Sequence, residues 1–242
     1  MAPVFNVTPL LPFGILMIGA LGLLAPASAA TYSANYNDAL SYYGGQCFSG
    51  IFLSDTPYNG LVAKIPSNKF QRGLGCGTCY EIRCTNHESC RNGGVNVTAI
   101  DDAGNGFLLS SEAWDKIVKE RSTQKVDVTA RRVNCARSGG MAVLVMSGSD
   151  PSWFWIQILN VANCGGVAGV EVARDGATSW TKMSRMYDTG QWELKPATAV
   201  VAPGKKISVR VTGLGGRKVE LKNVIGADWL GGGQTYTSNA NF

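Results

Sequence analysis

The chain has 242 residues, of which 45% are hydrophobic and 16% charged, with 30 glycines and a formal net charge of +5 at pH 7. Sparse charge and abundant glycine favour strands and turns over helices. The Lys and Arg residues are spread along the chain without a basic cluster, which excludes nucleic acid as a partner and leaves an acidic polysaccharide open.

Residues 10–30 are almost wholly apolar and uncharged, and end in Ala27-Ser28-Ala29-Ala30. This reads as a secretory signal peptide over 1–30, although no Lys or Arg precedes it. The competing reading, a membrane anchor, is weakened by Pro12, Gly14, Gly19 and Gly22 within the run and by its small-residue exit. No later segment is long and apolar enough to span a bilayer, so no membrane association is expected after cleavage. The roughly 210 residues that remain suit two small domains or one large all-β domain.

Six of the seven cysteines (Cys47, Cys76, Cys79, Cys84, Cys90 and Cys135) fall in one segment. In a secreted chain such an even set predicts a disulfide-stapled domain. Cys76-Gly77-Thr78-Cys79 could suggest zinc, but the one histidine, His87, cannot complete four ligands. The flanks of the CxxC read as a turn into a strand, unlike a redox motif that opens a helix. No metal or cofactor is expected. Cys164 is left over beside Gly165-Gly166 and reads as a buried or turn thiol, with an intermolecular disulfide as the alternative.

Residues 95–100 read as a strand followed by Asp101-Asp102. That strand carries a glycosylation sequon at Asn96-Val97-Thr98. Residues 110–118 predict a short helix: Ser110 as cap, Glu112 in the first turn, and Ala113, Trp114 and Ile117 at helical spacing. Residues 126–133 alternate at period two, a strand leading to a junction at 136–140. Beyond it, 141–146, 153–159, 167–174, 179–183, 206–212 and 218–224 read as strands of a small antiparallel sandwich. On the second of these, Trp153, Trp155 and Gln157 share one face, with Phe154, Ile156 and Ile158 on the other. The apolar set suits the core, leaving two outward indoles as a flat platform for sugar rings. Trp114, Trp180 and Trp229 are assigned to core or interdomain packing.

Several of these stretches resemble the expansin superfamily. Tyr43-Gly44-Gly45-Gln46-Cys47 is similar to its GGxC motif. Residues 75–84, GCGTCYEIRC, are similar to its GCGxCxExxC core, and Arg131-Arg132-Val133-Asn134-Cys135 to its RRVxC strand. Trp180-Thr181-Lys182-Met183, residues 223–229 and residues 234–238 resemble the second half of the family. The resemblance implies an all-β protein: a six-stranded double-psi β-barrel over 31–138, then an immunoglobulin-like carbohydrate-binding β-sandwich over 139–242. It also implies the pairings Cys47–Cys76, Cys79–Cys135 and Cys84–Cys90; spacing alone leaves fifteen possible pairings open. Each bridge would contribute about 2–4 kcal/mol.

The barrel is shared with glycoside hydrolase family 45, where inverting hydrolysis needs two carboxyl groups about 6.5–9.5 Å apart. The family keeps one, in a His-Phe-Asp-Leu-Ser motif. Here that stretch reads Gly106-Phe107-Leu108-Leu109-Ser110, so His falls on Gly106 and Asp on Leu108. Leucine transfers no proton, and loss of the motif resembles the expansin-like branch. Adjacent Asp101 and Asp102 point to opposite sides of an extended segment and make a poor acid/base pair. They read as a turn into Gly104, with Asp101 as the alternative groove-binding residue.

The resemblance further implies that Thr31 and Tyr32 line the barrel groove and that Tyr187 joins Trp153 and Trp155 in binding sugar. Trp192 falls nearby. The expected protein is secreted to the cell wall, monomeric and non-hydrolytic, and binds cellulose or matrix glycans. The alternatives are a cryptic hydrolase using another carboxylate, and a barwin-like secreted defence or signalling protein. The latter's relatives resemble the barrel alone.

Overall fold

The computed structural model describes residues 30–40, 44–48, 53, 57–198 and 200–242. The expected signal peptide, Ala30 apart, and Tyr43 of the first motif lie outside the described residues. Six strands close a barrel: β1 (Thr31–Asn37), β2 (Val62–Ile65), β3 (Cys79–Thr85), β4 (Val95–Asp102), β5 (Phe107–Ser110) and β6 (Val126–Val133), in the order β1-β5-β2-β4-β3-β6. β1 runs parallel to β5 and β2 parallel to β4, while the other neighbours are antiparallel. These two parallel pairings are the double-psi arrangement, and closure removes every free edge.

The alternation read in 126–133 is borne out, with Val126, Val128 and Ala130 facing the core and Asp127 and Arg131 outside. Helix α1 (Ser67–Phe70) follows β2 and α2 (Ser111–Ile117) follows β5. Ser110 caps α2 as expected: its Oγ accepts from the Ala113 amide at 3.3 Å and donates to the Gly60 carbonyl. Ala113, Trp114 and Ile117 are fully buried beneath the barrel. Among the described residues no helix is long and apolar enough to cross a membrane.

The three disulfides are Cys47–Cys76, Cys79–Cys135 and Cys84–Cys90. Cys76 and Cys79 belong to different bridges, so the CxxC is neither a redox pair nor half of a metal site. Cys164 is a half-buried free thiol beside the Gly165-Gly166 turn. Asn96 of the sequon is exposed on β4.

On the outer face of β3, the Glu81 carboxylate lies 2.8 Å from Arg83 Nη2 and 2.6 Å from Arg131 Nε. Hydrogen bonds from these guanidinium groups, Arg83 first, hold Glu81 at about 2, well below an ordinary glutamate. A folded-state value below the unfolded one contributes stability above the unfolded value of about 4.3, and that stability is lost as pH falls through about 2. Glu81→Gln is therefore expected to be less stable than the parent at pH 6, with the gap closing toward pH 2. Urea midpoints across that range check it. The gap is modest because both arginines are exposed and salt screens them.

The second half forms two packed sheets. One has the order β10-β9-β13-β14: β9 is Val167–Arg174, β10 Thr181–Lys182, β13 Ile207–Gly213 and β14 Lys218–Ile225. The other has the order β11-β12-β8-β7-β15: β7 is Ala142–Val145, β8 Phe154–Leu159, β11 Ser184–Arg185, β12 Gln191–Leu194 and β15 Thr235–Thr237. Ile207, Val209 and Val211 of β13 face Phe154 and Ile156 of β8 within one apolar cluster.

The structure adds two strands that were not expected, β12 and β15, and departs from the expected segments in two places. Residues 179–183 are not one strand: Thr181 and Lys182 pair with β9, while Ser184 and Arg185 pair with β12. Buried Met183 is the crossing point between the sheets. β8 begins at Phe154, because Asp150 Oδ1 accepts the amides of Ser152 and Trp153 and holds 150–153 as a turn. Trp114 and Trp229 are fully buried, but Trp180 is half-exposed on the outside with Arg210 over its ring at 4.0 Å.

The two halves dock through the outer face of the five-stranded sheet. Leu159 of β8 and Ala142 of β7 pack into the barrel's apolar cluster. Gln157 Nε2 donates to the Cys47 carbonyl, and the Gly190 amide donates to the Gln46 carbonyl at 3.2 Å. Cys135 and Asn163 exchange two backbone hydrogen bonds, at 2.8 and 3.0 Å. Two disulfide-bonded residues, Cys47 and Cys135, thus stand at the junction and stiffen it from the barrel side.

Candidate functional site: barrel mouth and aromatic face

Three neighbouring strands bring Leu108 (β5), Lys64 (β2) and Asp101 (β4) into one row: Leu108 lies opposite Lys64, and Lys64 opposite Asp101. Lys64 Nζ is 2.8 Å from Asp101 Oδ2. Asp101 Oδ1 accepts the Asp102 amide at 2.8 Å. Asp102 Oδ1 accepts from Ser67 Oγ and the Gly104 amide, both at 2.7 Å. Asp102 therefore serves the turn, as read from the sequence, while Asp101 is tied to a lysine. Of the three residues in this row Asp101 is the one carboxylate, and Leu108 is half-buried against the barrel core.

Gly106 has its own constraint. A Cβ there would lie 2.5 Å from the Ser33 carbonyl oxygen and 2.8 Å from Ser33 Oγ. The backbone of β1 leaves no room for a side chain at this position, so the histidine of the related motif would need β1 to shift.

Thr31 is exposed at the start of β1. Tyr32 is half-buried, with its ring 5.3 Å from Phe107 in edge-to-face contact. Lys69 Nζ, on α1, lies over both Tyr32 and Tyr80, 5.2 and 5.6 Å from the ring centroids.

On the sandwich, Trp153 and Trp155 share a side as expected, but they do not form a flat pair. Their rings stack on each other, with centroids 5.0 Å apart and planes 15° from parallel. Lys195 Nζ covers Trp153 at 3.9 Å, Trp153 Nε1 donates to Glu193 Oε2 at 2.9 Å, and Lys195 pairs with the same oxygen at 2.9 Å. The indole edge of Trp155 is buried. With 150–153 held as a turn, the Trp153 ring stacks on its neighbour, so the two indoles do not lie in one flat platform as expected.

Tyr187, between β11 and β12, is 67% exposed, the most exposed large aromatic among the described residues. The Arg72 guanidinium, just beyond α1, lies 4.9 Å from its ring centroid. Trp192 is a core residue of the sandwich. The run from Lys69 to Arg72 thus leads from the barrel mouth to Tyr187. Sequence reading missed Lys69, Arg72, Lys195 and Glu193, because no periodicity marks a cation that meets an aromatic ring from another element.

A closed double-psi barrel docked on an immunoglobulin-like sandwich places the chain in a class of two-domain all-β proteins. The family model described as the Expansin C-terminal domain matches residues 141–226. Expansin-A21 of Arabidopsis thaliana is 31% identical, covering 93% of this chain and 89% of the relative. Expansin-B9 of Oryza sativa subsp. japonica is 30% identical, covering 90% and 83%. The chain belongs to the expansin family. Its fold is also that of the apo expansin of Clavibacter michiganensis, with TM-score 0.68, 19% identity and 87% and 96% coverage. A mutant of that expansin in complex with cellohexaose gives TM-score 0.68, 20% identity and 88% and 98% coverage.

Proposed function

We propose that this chain is a secreted expansin of the extracellular cell wall that binds wall polysaccharide (cellulose, matrix glycans or both) as a monomer and modifies wall extensibility without hydrolysis. In this reading 1–30 is removed as a signal peptide, 31–138 is the barrel domain and 139–242 the binding sandwich. The observation that carries it is the exposed ring of Tyr187, held at a stiff junction with the barrel mouth. Trp153 and Trp155 buttress that face as a stacked pair, and Asp101, Thr31 and Tyr32 contact the glycan along the barrel. A sugar ring lies flat on an aromatic face, which its C–H groups cover while its hydroxyls stay wet. The mutant relative's complex with cellohexaose supports a glucan as one ligand.

The non-hydrolytic part rests on Leu108. It supplies no proton, and Asp101, in the same row, has both oxygens engaged. Expected results are retention of the chain on microcrystalline cellulose and no release of reducing ends from glucans, xylans or mannans. Leu108→Asp should remain inactive, because Asp101 in the same row is held by Lys64 and the Asp102 amide and is not free to act as the second carboxyl group of an inverting mechanism. Reducing ends that disappear in Asp101→Asn would overturn the non-hydrolytic reading.

A further inference from the structure

The aromatic rings of the proposed site carry cations. Lys69 lies over Tyr32 and Tyr80, and Arg72 over Tyr187. The third cation, Lys195 over Trp153, is neutralised by Glu193. Lys69 and Arg72 differ: among the described residues, neither forms an ion pair. Arg72 is exposed and Lys69 half-exposed. They sit three residues apart, between the barrel mouth and Tyr187. The position that carries an acid in the related motif is Leu108, so the mouth lacks that negative charge and holds these two positive ones.

A cation on an aromatic face gains from the ring's quadrupole and still has N–H donors free for an acceptor. For a neutral glucan such cations are an obstacle, since a sugar must displace them from the ring without gaining a charge partner. For a sugar that carries a carboxylate the same arrangement is complementary: the ring stacks, and the carboxylate takes charge-assisted hydrogen bonds from the displaced lysine or from the arginine fork.

We propose that Lys69 and Arg72 select a uronic-acid polysaccharide, reading a sugar-ring carboxylate beside the Tyr32 and Tyr187 rings. This rests on the wall-binding reading above and names its substrate class.

The test uses the full secreted chain and measures dissociation constants by affinity electrophoresis. The probes are polygalacturonate, the same polymer methyl-esterified, glucuronoxylan, its carboxyl-reduced form, and a soluble neutral glucan. At least one carboxylated polymer is expected to bind about tenfold tighter than its uncharged counterpart, a preference that salt weakens. A preference confined to polygalacturonate assigns the carboxylate to a backbone sugar, and one confined to glucuronoxylan to a side group.

The double variant Lys69→Gln/Arg72→Gln should bring the ratio close to one. Lys205→Gln/Arg217→Gln removes the same charge from exposed turns of the other sheet and should leave most of the ratio in place. Equal affinity for charged and uncharged polymers, or equal loss in both double variants, overturns the inference; if the neutral glucan still binds, the wall-binding reading stands. No binding to any polymer overturns both.

Discussion

Gly165→Ala is expected to lower the stability of the whole chain by about 3 kcal/mol, or roughly 6–12 °C in melting temperature for a protein of this size. Gly165 has φ +65° and sits in the tightest part of the junction. A Cβ there would run into Cys135 Sγ and the Gly77 carbonyl oxygen, with Thr78 Cα 3.0 Å away. The left-handed conformation alone costs an alanine about 1 kcal/mol. Overpacking against backbone and a disulfide sulfur adds about 1–3 kcal/mol, because neither can swing aside. Gly176→Ala separates the two contributions: its φ is +76°, but nothing lies within 4 Å of its Cβ, so only the smaller cost should appear. Thermal melts of both variants decide the matter, and equal losses would show that the junction is looser than the hydrogen bonds between Cys135 and Asn163 imply.

Tyr187→Ala is expected to weaken retention on cellulose about tenfold while leaving the melting temperature within a degree or two. Covering one face of a phenol ring removes some tens of Å² of apolar surface from water, worth about 1–1.5 kcal/mol, which is close to tenfold in affinity. The ring is 67% exposed, so the fold gains little from it. Trp153→Ala should behave differently. It removes a stacking partner of Trp155 and releases Glu193 and Lys195, so lost binding should come with lost stability. Unchanged retention in Tyr187→Ala would remove the aromatic face from the proposed site.

The barrel strands were legible unequally. Residues 126–133 alternate cleanly because β6 has one face in the core and one in solvent. β2 and β5 carry no such pattern, being four residues each and buried along most of their length. Their parallel partners are far away in sequence, a pairing that local periodicity does not encode. The division of 179–183 between two sheets was equally hidden, since a chain that changes sheets at Met183 keeps the composition of a single strand.

The sequence by itself determined the chemistry available: leucine at 108, glycine at 106, six cysteines in one segment, and aromatics in the second half. It also determined the all-β class, through glycine-rich turns between alternating runs. Only the tertiary structure decided which groups meet. It stacked Trp153 on Trp155, tied Asp101 to Lys64, left Gly106 no room for a side chain, and set Lys69 and Arg72 on rings from other elements. The physical reason is the same in each case. A charge or a ring acts through its neighbours within a few ångströms, and in a closed barrel docked on a sandwich those neighbours come from strands and turns distant in the chain.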